Sequence, residues 1–255
     1  MTRLTLLITC FFIFSFIYCN SQEKLNHAGS TEPSLLPGSF GYDLEFLNQF
    51  DQVILLASKS DSALVIVSPK YQAKVFTSTS DGLAGKSFGW INYNAFRKKD
   101  DPHMNAYGGE SRFWLGPEGG PFSIFFPKGK PIIFEHWKTP SPIDNEVWMV
   151  SDRDLSSVSL KKEMSIVNYK GIVLNILAQR NIRLLERDEI IRILGFEMTG
   201  ESLRMVGYES QNSITNSGER EWNEREGMPC IWILDMFTPT DSTIIMLLFK
   251  EAGDL

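Results

Sequence analysis

The sequence is short of the residues that build metal centres and disulfide frameworks. Its 255 residues hold three cysteines and three histidines. Cys10 and Cys19 fall in the N-terminal apolar run, which leaves only Cys230 for the body of the chain. Cys230 sits in the apolar run PCIWILDMF and reads as a buried thiol. No Cys/His spacing of the zinc type occurs, and no histidine stands near Cys230 to activate it. Neither a metal nor a thiol nucleophile is therefore expected, and no cofactor. Basic runs are missing too. With 25 Lys and Arg against 31 Asp and Glu, the formal charge is −6, which argues against nucleic acid or an anionic membrane surface as partner.

The chain also lacks an apolar run long enough to cross a membrane comfortably. After Arg3 comes LTLLITCFFIFSFIY, about fifteen residues, with the layout of an export signal rather than a span. Removal after Ser21 would put Cys19 and Ser21 at the −3 and −1 positions and release a soluble protein. Cleavage before Cys19 would make a lipoprotein anchored at Cys19, although Tyr18 is bulky where such signals carry a small residue. A retained anchor is the remaining alternative. The expectation is export to a periplasm, cell envelope or medium, with residues 1–21 as signal and 22–39 as a polar, turn-rich arm.

What is present from residue 40 to 255 is a series of short apolar runs between turn residues. They include VILLA at 53, ALVIVS at 63, AKVFTST at 73, SFGWINY at 87, FSIFF at 122, PIIFEHW at 131 and EVWMVS at 146. SVSLKKEM at 157, LRMVGYES at 203, CIWILDMF at 230 and TIIMLLF at 243 continue the pattern. Runs of this length, rich in Val, Ile, Phe, Trp and Thr, predict strands. From Val173 to Leu184 the alternation of Leu174, Ile176, Ala178, Ile182 and Leu184 favours a strand over a helix, with Arg180 alone out of place. RDEIIRIL, residues 187–194, predicts the one clear helix, with acids in its first turn and Gly195 behind it. The fold class expected is all-β, in one domain of packed antiparallel sheets.

The unusual stretch is HMNAYGGESRFWLGPEGGPF, residues 103–122, which mixes five glycines with charge and a large aromatic. Read as a strand, GESRFWLG turns Phe113 and Leu115 to the core and Glu110, Arg112 and Trp114 to the other face. An acid, a guanidinium and an indole in a row suit a sugar ring, whose C–H face takes the aromatic and whose vicinal hydroxyls take the charges. Gly116-Pro117 turns the chain, so Glu118 is expected to fold back toward Glu110. His103, Asn105 and Tyr107 share a face if extended, with His103 a candidate acid or base. Glu135 and Trp137 in FEHW repeat the acid–indole pairing, and Glu209 and Asn212 offer further polar contacts. The bland alternative is an ion pair bracing a loop while the indole packs.

SFGYDLEFL, GKSFGWINY, the block from His103 to Phe126, FEHWKTP, NYKG with IRLLERDEIIRILG, and GYESQNSITNSGE together resemble an uncharacterised family of exported bacterial proteins. That family is grouped with the galactose mutarotase-like (aldose 1-epimerase-like) fold. The resemblance runs from about Phe40 to the end. It implies a β-supersandwich of mostly antiparallel strands with a sugar-binding face, and a carbohydrate as partner. Aldose 1-epimerases use a histidine acid and a glutamate base, but no segment here matches the motif around their histidine. Members of the resembled family run longer than FKEAGDL, so the expectation is a sandwich lacking its last strands. Three readings follow: a mutarotase-type enzyme with His103 and Glu110 or Glu118 moving protons, a non-catalytic glycan-binding protein, or a glycoside hydrolase or lyase. Hydrolysis needs two carboxylates roughly 5–9.5 Å apart.

Overall fold

The computed structural model describes residues 35–195 and 203–247. The export segment, most of the arm and the last residues lie outside them. Among the described residues the chain is mostly β, in three antiparallel sheets. The first takes β1 (Ile54–Ala57), β2 (Leu64–Ser68) and β3 (Lys74–Thr79) in that order. The second pairs β4 (Arg112–Gly116) with a strand from far along the chain, β9 (Cys230–Leu234). The third takes β5 (Met149–Arg153), β6 (Ser157–Val167), β7 (Val173–Leu184) and β8 (Tyr208–Asn216) as a meander.

Alternation decides which side chains meet. In β2 and β3, Val65, Val67 and Val75 point into one core, which they share with Phe113, Leu115, Val158, Leu160, Ile176, Ala178 and Ile182. Ile66 and Phe76 point the other way, into a second core under α1 (Phe40–Leu47) with Phe40, Phe46, Leu47, Tyr71 and Tyr107. β2 and β3 are therefore covered on both faces, and β3 is buried at every position, while Leu55 of β1 is exposed. Ser39 caps α1, accepting a bond from the Tyr42 amide.

The long β6–β7 pairing runs from Ser157↔Arg183 to Val167↔Val173 and confirms the strand expected there. Its inward row includes Arg180, so the apparent exception in the alternation is a buried member of it. Helix α3 (Arg187–Leu194) has the expected bounds. Glu186 and Glu189 form a capping box at its start, and Gly195 closes it at φ 68°.

Several expected strands are something else. SFGWINY makes only isolated bridges, Gly89 to Phe237 and Ile91 to Gly108. FSIFF is a turn packed on the core, and PIIFEHW contains a short 3₁₀ helix, Phe134–His136. LRMVGYES pairs only from Tyr208 onward, and residues 243–247 are exposed without strand pairing. Aromatic content marked these runs as apolar without fixing whether they pair. Cys230 is exposed, not buried: among the described residues β9 is an edge strand laddered to β4 alone, and Ile231 and Leu234, not Cys230, pack against the core. Helices α1 and α2 (Tyr93–Phe96) were not expected.

Candidate functional site

Where β3, β4 and β7 meet, the core carries charge. Lys74, Glu110, Arg112 and Arg180 are each no more than 3% exposed, and Asp144 is 5% exposed. Their neighbours are shaped to admit them. Gly108 and Gly109 sit at φ +82° and +116°, where a side chain is strained in any case. A Cβ on Gly109 would lie 2.3 Å from Lys74 Cδ, and one on Gly108 would lie 2.3 Å from the Trp90 carbonyl oxygen. That bare backbone lets the Lys74 ammonium donate to the Gly108 carbonyl at 2.7 Å. Gly108→Ala is expected to cost about 2 kcal/mol, read as a lower urea midpoint, because the obstructing atom is backbone and cannot swing aside. Just before Lys74, Gln72 and Ala73 both hold positive φ, 67° and 53°, although neither is glycine. Local strain of this kind gathers at functional sites.

The charges form two linked groups. In the first, the Gln72 amide donates to the Ile143 carbonyl and its Oε1 accepts from Arg112 Nε at 3.2 Å. Arg112 Nη2 lies 3.9 Å from Asp144 Oδ1, and Asp144 also accepts from the Asn105 amide, Nδ2 to Oδ2 at 2.6 Å. Burial drives the Lys74 ammonium well below its usual value, helped by the neighbouring Arg112 and Arg180 and opposed by Asp144. Burial likewise lifts the Asp144 carboxyl despite the bonds from Asn105. Arg112, lowered only to about 10 by desolvation, keeps its charge.

The second group centres on Tyr208 from β8. Glu110, Asp235, Arg180 and Ser111 all act on its hydroxyl, and desolvation holds the phenol protonated. Arg180 Nη2 donates to Ser111 Oγ at 2.7 Å. Ser78 Oγ donates to Glu110 Oε1 at 2.7 Å. Desolvation, and then Asp235, raise Glu110 to about 7, so near neutrality this carboxyl can either take or give a proton. Asp235 is exposed and Tyr208 half-buried, which makes them the solvent side of the seam.

Five side-chain atoms in this region have no hydrogen-bond partner among the described residues. The donors are Arg112 Nη2 and Arg180 Nε and Nη1; the acceptors are Glu110 Oε2 and Asn212 Oδ1. Buried polar atoms are nearly always paired, so five unmet ones together mark a place that suits a polar ligand.

The expected groove face is corrected by this burial. Arg112 and Trp114 do project from the same side of β4, but Trp114 is 2% exposed and both faces of the strand are covered. Arg112, Trp114, Phe125 and Trp137 form one stack. The guanidinium carbon is 4.0 Å from the Trp114 ring centre, and ring centres are 5.1 Å and then 4.5 Å apart beyond it. Glu118 does not return to Glu110; it accepts from Trp114 Nε1 at 2.8 Å. Trp114 and Trp137 are thus packing groups, and Trp137 Nε1 is satisfied by Thr139.

His103 sits elsewhere. Its ring stacks on Phe134 at 4.9 Å and contacts Asp101 at 3.2 Å, with no contact to Glu110. Asn105 and Tyr107 are buried, Asn105 holding Asp144 and Tyr107 reaching Asp100 at 3.4 Å. Glu135 is exposed on the 3₁₀ helix. Glu209 is paired with Arg183 at 3.3 Å on the far side of the sheet from Arg180. Asn212 lies beside Arg180 in the inward row. Of the expected residues, then, the seam holds Glu110, Arg112, Asn105 and Asn212. Lys74, Asp144, Arg180, Tyr208 and Asp235 were missed. The signal for two of them was a cation inside an otherwise apolar strand, Lys74 in AKVFTST and Arg180 in β7. Asp144 and Asp235 come from loops that only the fold brings in.

Among the described residues, no group of three or more His, Cys, Asp or Glu side chains is placed to hold a metal ion. A family model described as "Family of unknown function (DUF6786)" matches residues 38–254. No curated protein and no solved structure matches the chain.

Proposed function

We propose that this chain, which belongs to the DUF6786 family, is an exported carbohydrate-binding protein of the mutarotase-like class that takes its ligand in the seam around Glu110 and Arg180. The observation that carries the reading is the mixture of unmet atoms. Donors on Arg112 and Arg180 and acceptors on Glu110 and Asn212 occur together. A bare inorganic anion would answer the guanidinium groups and leave both acceptors unmet. Hydroxyl groups answer both, since each donates one bond and accepts others. Glu110, held near neutrality, is the group that exchanges a proton with a bound hydroxyl. The stacked Trp114 serves to hold the Arg112 plane rather than to touch the ring.

Titration with a panel of neutral and acidic aldoses and their oligosaccharides, followed by calorimetry, tests binding. Polarimetry of a freshly dissolved aldose tests proton exchange. Binding that weakens at least tenfold in Ser78→Ala, which frees the Glu110 carboxyl from its hydroxyl brace, is the expected result. A silent panel would remove the carbohydrate reading. Binding without faster mutarotation would leave a glycan-binding protein with no reaction at the anomeric carbon.

A further inference from the structure

Among the described residues, Arg180 is a buried cation with two unmet donors. It is 1% exposed, faces the core from the middle of β7, and pairs across the sheet with Leu160 and Asn212. Its one close partner is Ser111, through Nη2. Nε and Nη1 have no partner among the described residues, and no described carboxylate lies within 4.0 Å of it. The nearby charges answer it only in part. Arg112 is a second cation, Lys74 brings no negative charge, and Asp144 is already engaged by Arg112 and Asn105. Asp235 favours the Arg180 charge, but from the rim of the seam. A buried cation with no counter-ion in contact is among the costliest arrangements a core can hold.

We infer that the sugar bound in this seam is acidic, a uronate whose carboxylate pairs with Arg180 while its ring hydroxyls meet Glu110 Oε2 and Asn212 Oδ1. A neutral hydroxyl would satisfy the N–H groups and leave the charge uncompensated, whereas a carboxylate does both. Tyr208, half-buried, and Asp235, exposed, form the rim of the seam nearest to solvent. The inference rests on the carbohydrate reading and names its substrate class.

The test is calorimetric titration of the whole chain at pH 6 with D-galacturonate, D-galacturonamide, D-galactose, galactose 6-sulfate and acetate. The expected result is galacturonate binding at least tenfold tighter than galactose or galacturonamide. That preference should shrink to about twofold or less in Arg180→Gln and survive in part in Arg180→Lys. Comparing acid with amide on the unaltered protein keeps the answer independent of whether Arg180→Gln folds. Equal binding of galacturonate and galactose overturns the acidic-sugar inference and leaves the carbohydrate reading standing. Tighter binding of the sulfate ester than of the uronate overturns the carboxylate assignment. Acetate binding as well as galacturonate, or no binding by any sugar, overturns both.

Discussion

Arg112→Met should destabilise the protein by about 3–5 kcal/mol, the usual consequence of removing one partner from a buried ion pair. The guanidinium is 3% exposed, 3.9 Å from Asp144, and laid flat on Trp114. Methionine fills much of the space but strands Asp144, whose carboxyl burial already lifts. Arg112 is among the groups holding that carboxyl down, so without it Asp144 rises further and is protonated more readily. The loss should therefore be largest at neutral pH and shrink as pH falls and Asp144 becomes neutral. Urea melts of Arg112→Met, Asp144→Asn and the double variant supply the decisive comparison. The double variant should recover at least about 1 kcal/mol relative to the sum of the singles, as residues sharing one network do. Strict additivity would show that the two side chains do not act as a pair.

Glu110→Gln should make the protein more stable and less able to move a proton. Glu110 stands at about 7 in the fold against 4.5 for the free side chain. An acid whose value is raised on folding binds more protons in the native state, so its contribution to stability is present below the unfolded value and lost as pH rises through the folded one. The interval from 4.5 to about 7 corresponds to about 3 kcal/mol. Glutamine does not ionise and escapes that loss. At pH 5 the two proteins should melt close together. At pH 8 the variant should melt higher by roughly 6–12 °C for a chain of this size. A gap that stays constant from pH 5 to pH 8 would refute the raised ionisation. Any acceleration of mutarotation by the unaltered protein should vanish in the variant, which puts the cost of a buried acid on the side of function.

The division between what could be read from the residues and what could not follows the range of the interactions. The β6–β7 hairpin and α3 were legible because alternation, capping acids and Gly195 act within a few residues. SFGWINY and PIIFEHW misled because apolar runs pack on a core with or without a ladder. The site shows the same split. Glu110 and Arg112 were singled out from GGESRFW, whose glycines make room for Lys74 and for backbone. The alternation placed Arg112 and Trp114 on a common side, but no local pattern could say that both sides of β4 would be covered, since the cover comes from Phe125, Trp137 and the third sheet. Asp235 and Tyr208 reach the seam through β8 and β9, more than 90 residues away in the chain.

The hairpin of β2 and β3 feeds two cores at once, Val65, Val67 and Val75 on one side and Ile66 and Phe76 on the other. Beyond the irregularity the pair already carries between Ile66 and Val67, an insertion or deletion of a single residue there would turn the residues past it to the opposite side, driving phenylalanine where valine fits or carrying Lys74 off its carbonyl. Evolution can therefore lengthen the exposed stretch at 127–135 freely, while the hairpin is held to a fixed residue count by the need to keep each tenant in its own compartment.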